Sequence, residues 1–174
     1  MLLTSDPSID ESGLVRAAQA GDRAAFGALY GQFARMVHGI LLAHVSYTDA
    51  EDLMQDVFIR AMEQLSGLRQ LAAFGGWLAS IARRAAFDHH RRMRLVTDLP
   101  DSIAGGERPD GEAFEVLAAI QRLPESYRET LVLRLVEGMT GPEIAARTGL
   151  TPSSVRVNLC RGMKLLREQL EERR

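Results

Sequence analysis

Residues 139–159 read MTGPEIAARTGLTPSSVRVNL, and their spacing decides the fold of the C-terminal third of the chain. Thr140 and Glu143 stand in the S/T-x-x-E arrangement of a capping box, in which hydroxyl and carboxylate satisfy two amides left free at a helix start. Ile144 and Ala145 then point inward, and Gly149 supplies the left-handed residue that a tight turn needs. Thr151 caps a second helix with Pro152 at its first position, where the missing N–H costs nothing. That helix has a core-facing stripe of Val155, Leu159, Gly162, Met163, Leu166 and Leu170. The pattern predicts two helices joined by a short glycine turn.

On the face left over, the second helix carries Ser153, Ser154, Arg156, Val157, Asn158 and Arg161. Short side chains let a helix enter the major groove, where Arg pairs with guanine and Asn with adenine. Base contacts come from the N-terminal half of such a helix, whose dipole also favours phosphate. The competing reading is a helical hairpin used for packing alone.

Working outward, nearly every periodic segment is helical. Phe26, Leu29, Tyr30, Phe33, Val37, Ile40 and Leu41 recur at three and four, which predicts a helix over 24–42 after an Asp22 cap. A second runs from Asp49, as its cap, to Leu65, burying Ala50, Leu53, Val57 and Ala61. A third covers about 74–94, with Trp77, Leu78, Ile81 and Ala85 on one side. Residues 97–111, TDLPDSIAGGERPDG, have no hydrophobic period, and their Pro, Gly and acidic residues read as a linker. Helices resume over 112–123, 125–136, 142–147 and 152–171. No segment alternates with period two. The expected fold is all-α: two small helical domains, 1–96 and 112–174, joined by a flexible acidic linker over 97–111, the second domain containing the helix-turn-helix.

The net charge of −2 conceals blocks of opposite sign. Residues 1–64 hold four Arg against nine acids, and 65–96 hold six Arg against Asp88 alone. Residues 97–120 hold Arg108 against six acids, and 121–174 hold ten basic against seven acidic side chains. Two basic blocks divided by an acidic one fit two contacts with a polyanion, though scattered charge on solvated helices is the plainer reading. No apolar run reaches 18 residues, so no membrane insertion is expected, and the N-terminus lacks the pattern of a signal peptide. Cys160 is the one cysteine, beside a buried stripe, and is expected to pack rather than to sense redox state.

Two other helices carry distinctive faces. DAEDLMQDVFIRAMEQL (49–65) exposes Glu51, Asp52, Gln55, Asp56 and Glu63, a surface that phosphate repels and a basic protein partner suits. FGGWLASIARRAAFDHHRRMR (74–94) clusters Arg83, Arg84, Arg91, Arg92 and Arg94 with His89 and His90, interleaved with Phe74, Trp77 and Phe87. Cations plus rings suit a single strand of nucleic acid; the plainer alternative is that Trp77 and Phe87 are core. Asp88-His89-His90 matches a short phosphoesterase string, but inside an arginine-rich helix it does not read as a metal site. No nucleophile–base set, phosphate loop or paired carboxylates appear, so neither catalysis nor a cofactor is expected.

In order and spacing, these three segments resemble bacterial RNA polymerase sigma factors of the extracytoplasmic-function (ECF) group. The resemblance rests on DAEDLMQDVFIRA, WLASIARRAAFDHHRR and LPESYRETLVLRLVEGMTGPEIAARTGLTPSSVRVNLCRGMKLLRE, and spans roughly 12–94 and 112–170. It implies that Asp52, Gln55 and Asp56 grip core RNA polymerase. It implies that the helix with Trp77, Arg83, Arg84, Asp88, His89, Arg91 and Arg92, together with the preceding loop, engages and opens the −10 element. It implies that Ser153, Ser154, Arg156, Val157, Asn158 and Arg161 read the −35 element. Core RNA polymerase, promoter DNA and an anti-sigma factor are the implied partners, in the cytoplasm, and the implied role is not enzymatic. Arg84, where Asn is usual, Asn158, where a basic residue is common, and His90, where Leu is usual, depart from the pattern. The other functional class the residues allow is a stand-alone helix-turn-helix regulator that needs no polymerase.

Overall fold

The computed structural model describes residues 10–97 and 112–172, and within them every regular element is helical. The helices are α1 (Glu11–Gln19), α2 (Arg23–Leu42), α3 (Tyr47–Gln64), α4 (Phe74–Thr97), α5 (Glu112–Gln121), α6 (Glu125–Leu135), α7 (Gly141–Thr148) and α8 (Pro152–Glu171). Two 3₁₀ turns, Leu65–Gly67 and Leu71–Ala73, join α3 to α4. Gln19 on α1 donates to the carbonyls of Leu65 and Leu68 at 2.9 and 2.8 Å, pinning that irregular connection to the bundle. The linker expected over 97–111 lies almost wholly outside the described residues.

Local chemistry explains the starts of α2, α3, α7 and α8. Asp22 accepts from the amides of Ala24 and Ala25, as its cap position requires. The start of α3 differs from expectation: the cap is Ser46, whose hydroxyl accepts from the Asp49 amide. Asp49 sits at the third helical position and accepts from the Ser46 hydroxyl at 2.6 Å. A carboxylate there complements the helix dipole as well as a cap would, so an Asp alone did not fix the boundary.

The stripe of α2 also needs one correction. Leu29, Phe33, Val37, Ile40 and Leu41 are buried, but Tyr30 is 42% exposed, its ring tilted onto Phe58 of α3 at 4.5 Å between centroids. A phenol on the edge of a stripe keeps its hydroxyl in water while its ring covers apolar surface.

Helices α1–α4 and α5–α8 pack on each other. α2 packs on α6, and α4 and α2 pack on α7. Thr130, Leu131, Val132 and Leu133 of α6 are all buried, four in succession, which is possible only for a helix covered on every side. Facing them is an equally continuous buried run on α2, Gly39–Leu42. One hydrophobic cluster runs from Val15 through to Leu166.

Candidate polymerase and DNA surfaces

The helix-turn-helix forms as its sequence requires. Thr140 and Glu143 make both halves of the capping box, at 3.3 Å and 2.7 Å. Gly149 closes α7 at φ 75°, a conformation that costs a residue with a Cβ. The Thr151 hydroxyl accepts from the Ser154 amide at 3.1 Å and so starts α8. Ser153, Ser154, Arg156, Val157 and Arg161 are exposed, while Asn158 is half-buried. The hydroxyls of Ser153 and Ser154 lie 3.1 and 2.8 Å from the Thr151 hydroxyl, which orients them at the helix tip. Cys160 is exposed, not packed. It stands one position beyond Leu159, and a helical step of 100° carries it off the stripe.

On α3 the acidic face is open. Asp52, Gln55 and Asp56 are exposed, and Leu53, Val57, Phe58 and Ala61 hold the opposite side in the core. Asp52 and Gln55 line a groove of about 590 Å³ together with Tyr30, Arg35, His38 and Tyr47.

The arginine helix α4 is more constrained than its sequence implies. Phe74 is fully buried and meets Phe33 edge-on at 5.0 Å, so it is core and unavailable for stacking on a base. Trp77 is half-buried, 5.7 Å from the Phe74 ring. Phe87 is the more open ring, 67% exposed. Arg84, Arg91, Arg92 and Arg94 are exposed. Asp88 lies 3.7 Å from Arg60 and 3.6 Å from Arg91, and His89 lies 3.4 Å from Asp49 of α3. Asp88 and His89 thus help hold α4 on α3. Arg83 is engaged too: its guanidinium takes both oxygens of Glu129 on α6, with three contacts of 2.9–3.0 Å.

Glu129 also meets His44 Nε2 at 3.1 Å. Burial alone raises its pKa, but the hydrogen bonds from His44 and Arg83 and their charge outweigh that and hold it below the usual carboxylate range. The acid of this ion-paired cluster comes from α6, 46 residues beyond Arg83. The sequence reading missed it, since nothing in ESYRETLVL marks one carboxylate as buried. The run of apolar residues after it was the available sign. Among the described residues, no three His, Cys, Asp or Glu side chains are placed to hold a metal ion.

An all-helical chain with an open acidic face, a basic aromatic helix and a capped helix-turn-helix has the make-up of a bipartite DNA-binding factor. Comparison with known proteins defines which. The family described as Sigma-70 region 2 matches residues 29–95, and Sigma-70, region 4 matches residues 113–166. The chain is 34% identical to RNA polymerase sigma factor CarQ of Myxococcus xanthus, over 87% of this chain and 92% of that protein. It is 30% identical to ECF RNA polymerase sigma factor BldN of Streptomyces coelicolor, over 91% of this chain and 65% of that protein. The structure of CnrH in complex with the cytosolic domain of CnrY is similar, with a TM-score of 0.64, 25% identity, and coverage of 93% of this chain and 97% of that one. The chain belongs to the sigma-70 family of RNA polymerase sigma factors, in its ECF group. Its function is the family's: promoter-directed initiation of transcription by RNA polymerase.

Proposed function

We propose that residues 1–96 bind core RNA polymerase and act on the −10 element, and that residues 112–174 read the −35 element. The observation that carries this reading is the separation of charge between two exposed helix faces. Asp52, Gln55 and Asp56 on α3 face solvent as an acidic patch that DNA repels. Arg156 and Arg161 on α8 face solvent beside a capped, positively polarised helix start that DNA attracts. One chain thereby engages a basic protein surface and a polyanion without the two competing.

On α4, Trp77 and Phe87 supply ring faces for an unstacked base, a capture that costs a few kcal/mol. Arg84, Arg91 and Arg92 supply the cations that follow the exposed strand. Arg83 joins them only when Glu129 is withdrawn. Asp88 and His89 act as positioning residues, through Arg60, Arg91 and Asp49. The protein works in the cytoplasm, where its polymerase is, and supplies specificity rather than chemistry of its own. A solved relative, RpoE of Bartonella quintana, is bound to the anti-sigma factor NepR, and we assign this chain an anti-sigma partner of its own.

The test is competition for core polymerase. Replacing Asp52, Gln55 and Asp56 together by Ala removes the acidic patch but no buried contact, so the fold should persist while core binding and promoter-dependent transcription are lost. Unchanged affinity for core would sink the assignment. Tight, specific promoter binding by the free chain with no need for polymerase would point to a stand-alone regulator.

A further inference from the structure

The cleft between α4 and α6 combines an open aromatic ring with cations from two helices. Its volume is about 650 Å³, inside the ~300–1,000 Å³ range of ligand pockets. One wall is a stripe of α4, where Arg83, Phe87, Arg91 and Arg94 recur at four and three and so share a helix face. The other wall is α6, which brings Glu125 and Arg128. His44 and His90 complete the lining.

Some of these groups are already held by the protein. Arg83 gives its Nε and Nη2 to Glu129, and His90 donates from Nε2 to the His44 carbonyl at 2.6 Å. Three cations are not neutralised in this way. Arg128 donates from Nε to the Leu123 carbonyl at 2.6 Å, which fixes its guanidinium, and it makes no ion pair among the described residues. Arg94 is exposed and likewise makes none. Arg91 is paired loosely, 3.6 Å from Asp88, with its side chain 69% exposed. Among the described residues, Glu125 is the single acid that lines the cleft.

We propose that this cleft binds a nucleoside polyphosphate, its base stacked on Phe87 and its phosphates taken by Arg91, Arg94 and Arg128. Guanidinium forks match phosphate oxygens two at a time, and an aromatic face accepts any base. The Glu125 carboxylate accepts from ribose hydroxyls or base N–H groups and repels phosphate, which orients the ligand. The carbonyl bond of Arg128 sets its guanidinium before binding, which lowers the cost of ordering it. A promoter strand suits the cleft less well. It carries one charge per nucleotide and runs on at both ends, whereas here three cations from two helices line one cavity around a single ring. Several charges on one nucleoside use all of them. Bound ligand occupies Phe87 and Arg91, which are assigned above to the −10 strand, so it should inhibit promoter opening. That consequence rests on the −10 reading; the binding itself does not.

Calorimetric titration of the full chain, without polymerase or DNA template, tests the site. GTP and ATP are the nucleotide probes, tripolyphosphate the phosphate-only probe, and a short single-stranded oligonucleotide the strand probe. Both nucleotides should bind, and more tightly than tripolyphosphate or the oligonucleotide. Phe87→Ala should erase the advantage over tripolyphosphate, and Glu125→Gln should strengthen tripolyphosphate binding. Arg94→Ala and Arg128→Lys should each weaken nucleotide binding about tenfold or more, the worth of a hydrogen bond to a charged group. Arg94 is exposed and Arg128→Lys keeps the charge, so neither change removes a core contact. Absence of nucleotide binding, tripolyphosphate that binds as tightly as GTP and ATP, or nucleotide affinity unchanged in both arginine variants would each overturn the proposal. An oligonucleotide that binds more tightly than either nucleotide and displaces it would also overturn it, and would assign the cleft to the promoter strand. None of these readings uses a promoter, so failure of the −10 assignment would leave them intact.

Discussion

Arg and Asn are the side chains that pair bidentately with purine edges, and α8 offers Arg156 and Asn158. Both stand on the N-terminal half of α8, but Arg156 is exposed and Asn158 half-buried. If Arg156 reads a base edge, Arg156→Ala should cost about 1–3 kcal/mol and relax preference at one −35 position. Transcription from a set of single-base −35 variants measures this, and a uniform drop across the set would mean a phosphate contact instead. Asn158→Ala should have a smaller effect on preference, since part of the side chain is already turned to the protein. The residue types on α8 were legible because exposed short polar and basic side chains on a capped helix have few structural uses. The pairing of Arg83 was not legible for the opposite reason. Its neighbours in sequence are cations and rings, and its partner Glu129 is brought to it only by tertiary packing.

Among the elements, α7 is where sequence and structure agree most closely, and the agreement has a measurable energy. The Thr140 hydroxyl accepts from the Glu143 amide, and the Thr140 amide donates to the Glu143 carboxylate. The Thr140 amide bond, with that from its hydroxyl, holds the Glu143 carboxyl below the usual carboxylate range. Thr140→Ala should destabilise the folded chain by about 1 kcal/mol, read as a lower urea midpoint with an unchanged slope. A change within 0.2 kcal/mol of zero would show that packing, not the cap, fixes the start of α7. Caps and turn glycines are local, so residues four apart suffice to predict them. The 3₁₀ turns at Leu65–Gly67 and Leu71–Ala73 are also short, yet they depend on Gln19, a residue more than 40 positions away in sequence. Helix α6 was legible as a helix but not as an interdomain one. Its buried run Thr130–Leu133 and the matching Gly39–Leu42 of α2 make sense only when set against each other.

For the molecule as a whole, the unperiodic acidic stretch 97–111 led to an expectation of two small helical domains on a linker, and among the described residues both domains contribute to one core. The reason is that the halves meet through neutral surfaces, Gly39 against Leu133 and Gly75 against the Arg147 backbone, with ion pairs set among them. Such an interface has a definite response to acid. Glu129 is faced by His44 and Arg83, and Glu137 by His38 with Arg35 on its carbonyl. The pKa of Glu129 is held down in the folded state, so its contribution is fully present above the ordinary glutamate value of about 4.3. That contribution is lost only as pH falls through the lower value of the folded form. The urea midpoint of the folded chain should therefore hold steady from neutral pH to about 4.3 and fall below it. Glu129→Gln should abolish that acid step and lower the midpoint at neutral pH. An acid step that persists unchanged in Glu129→Gln would show that Glu129 does not control this interface.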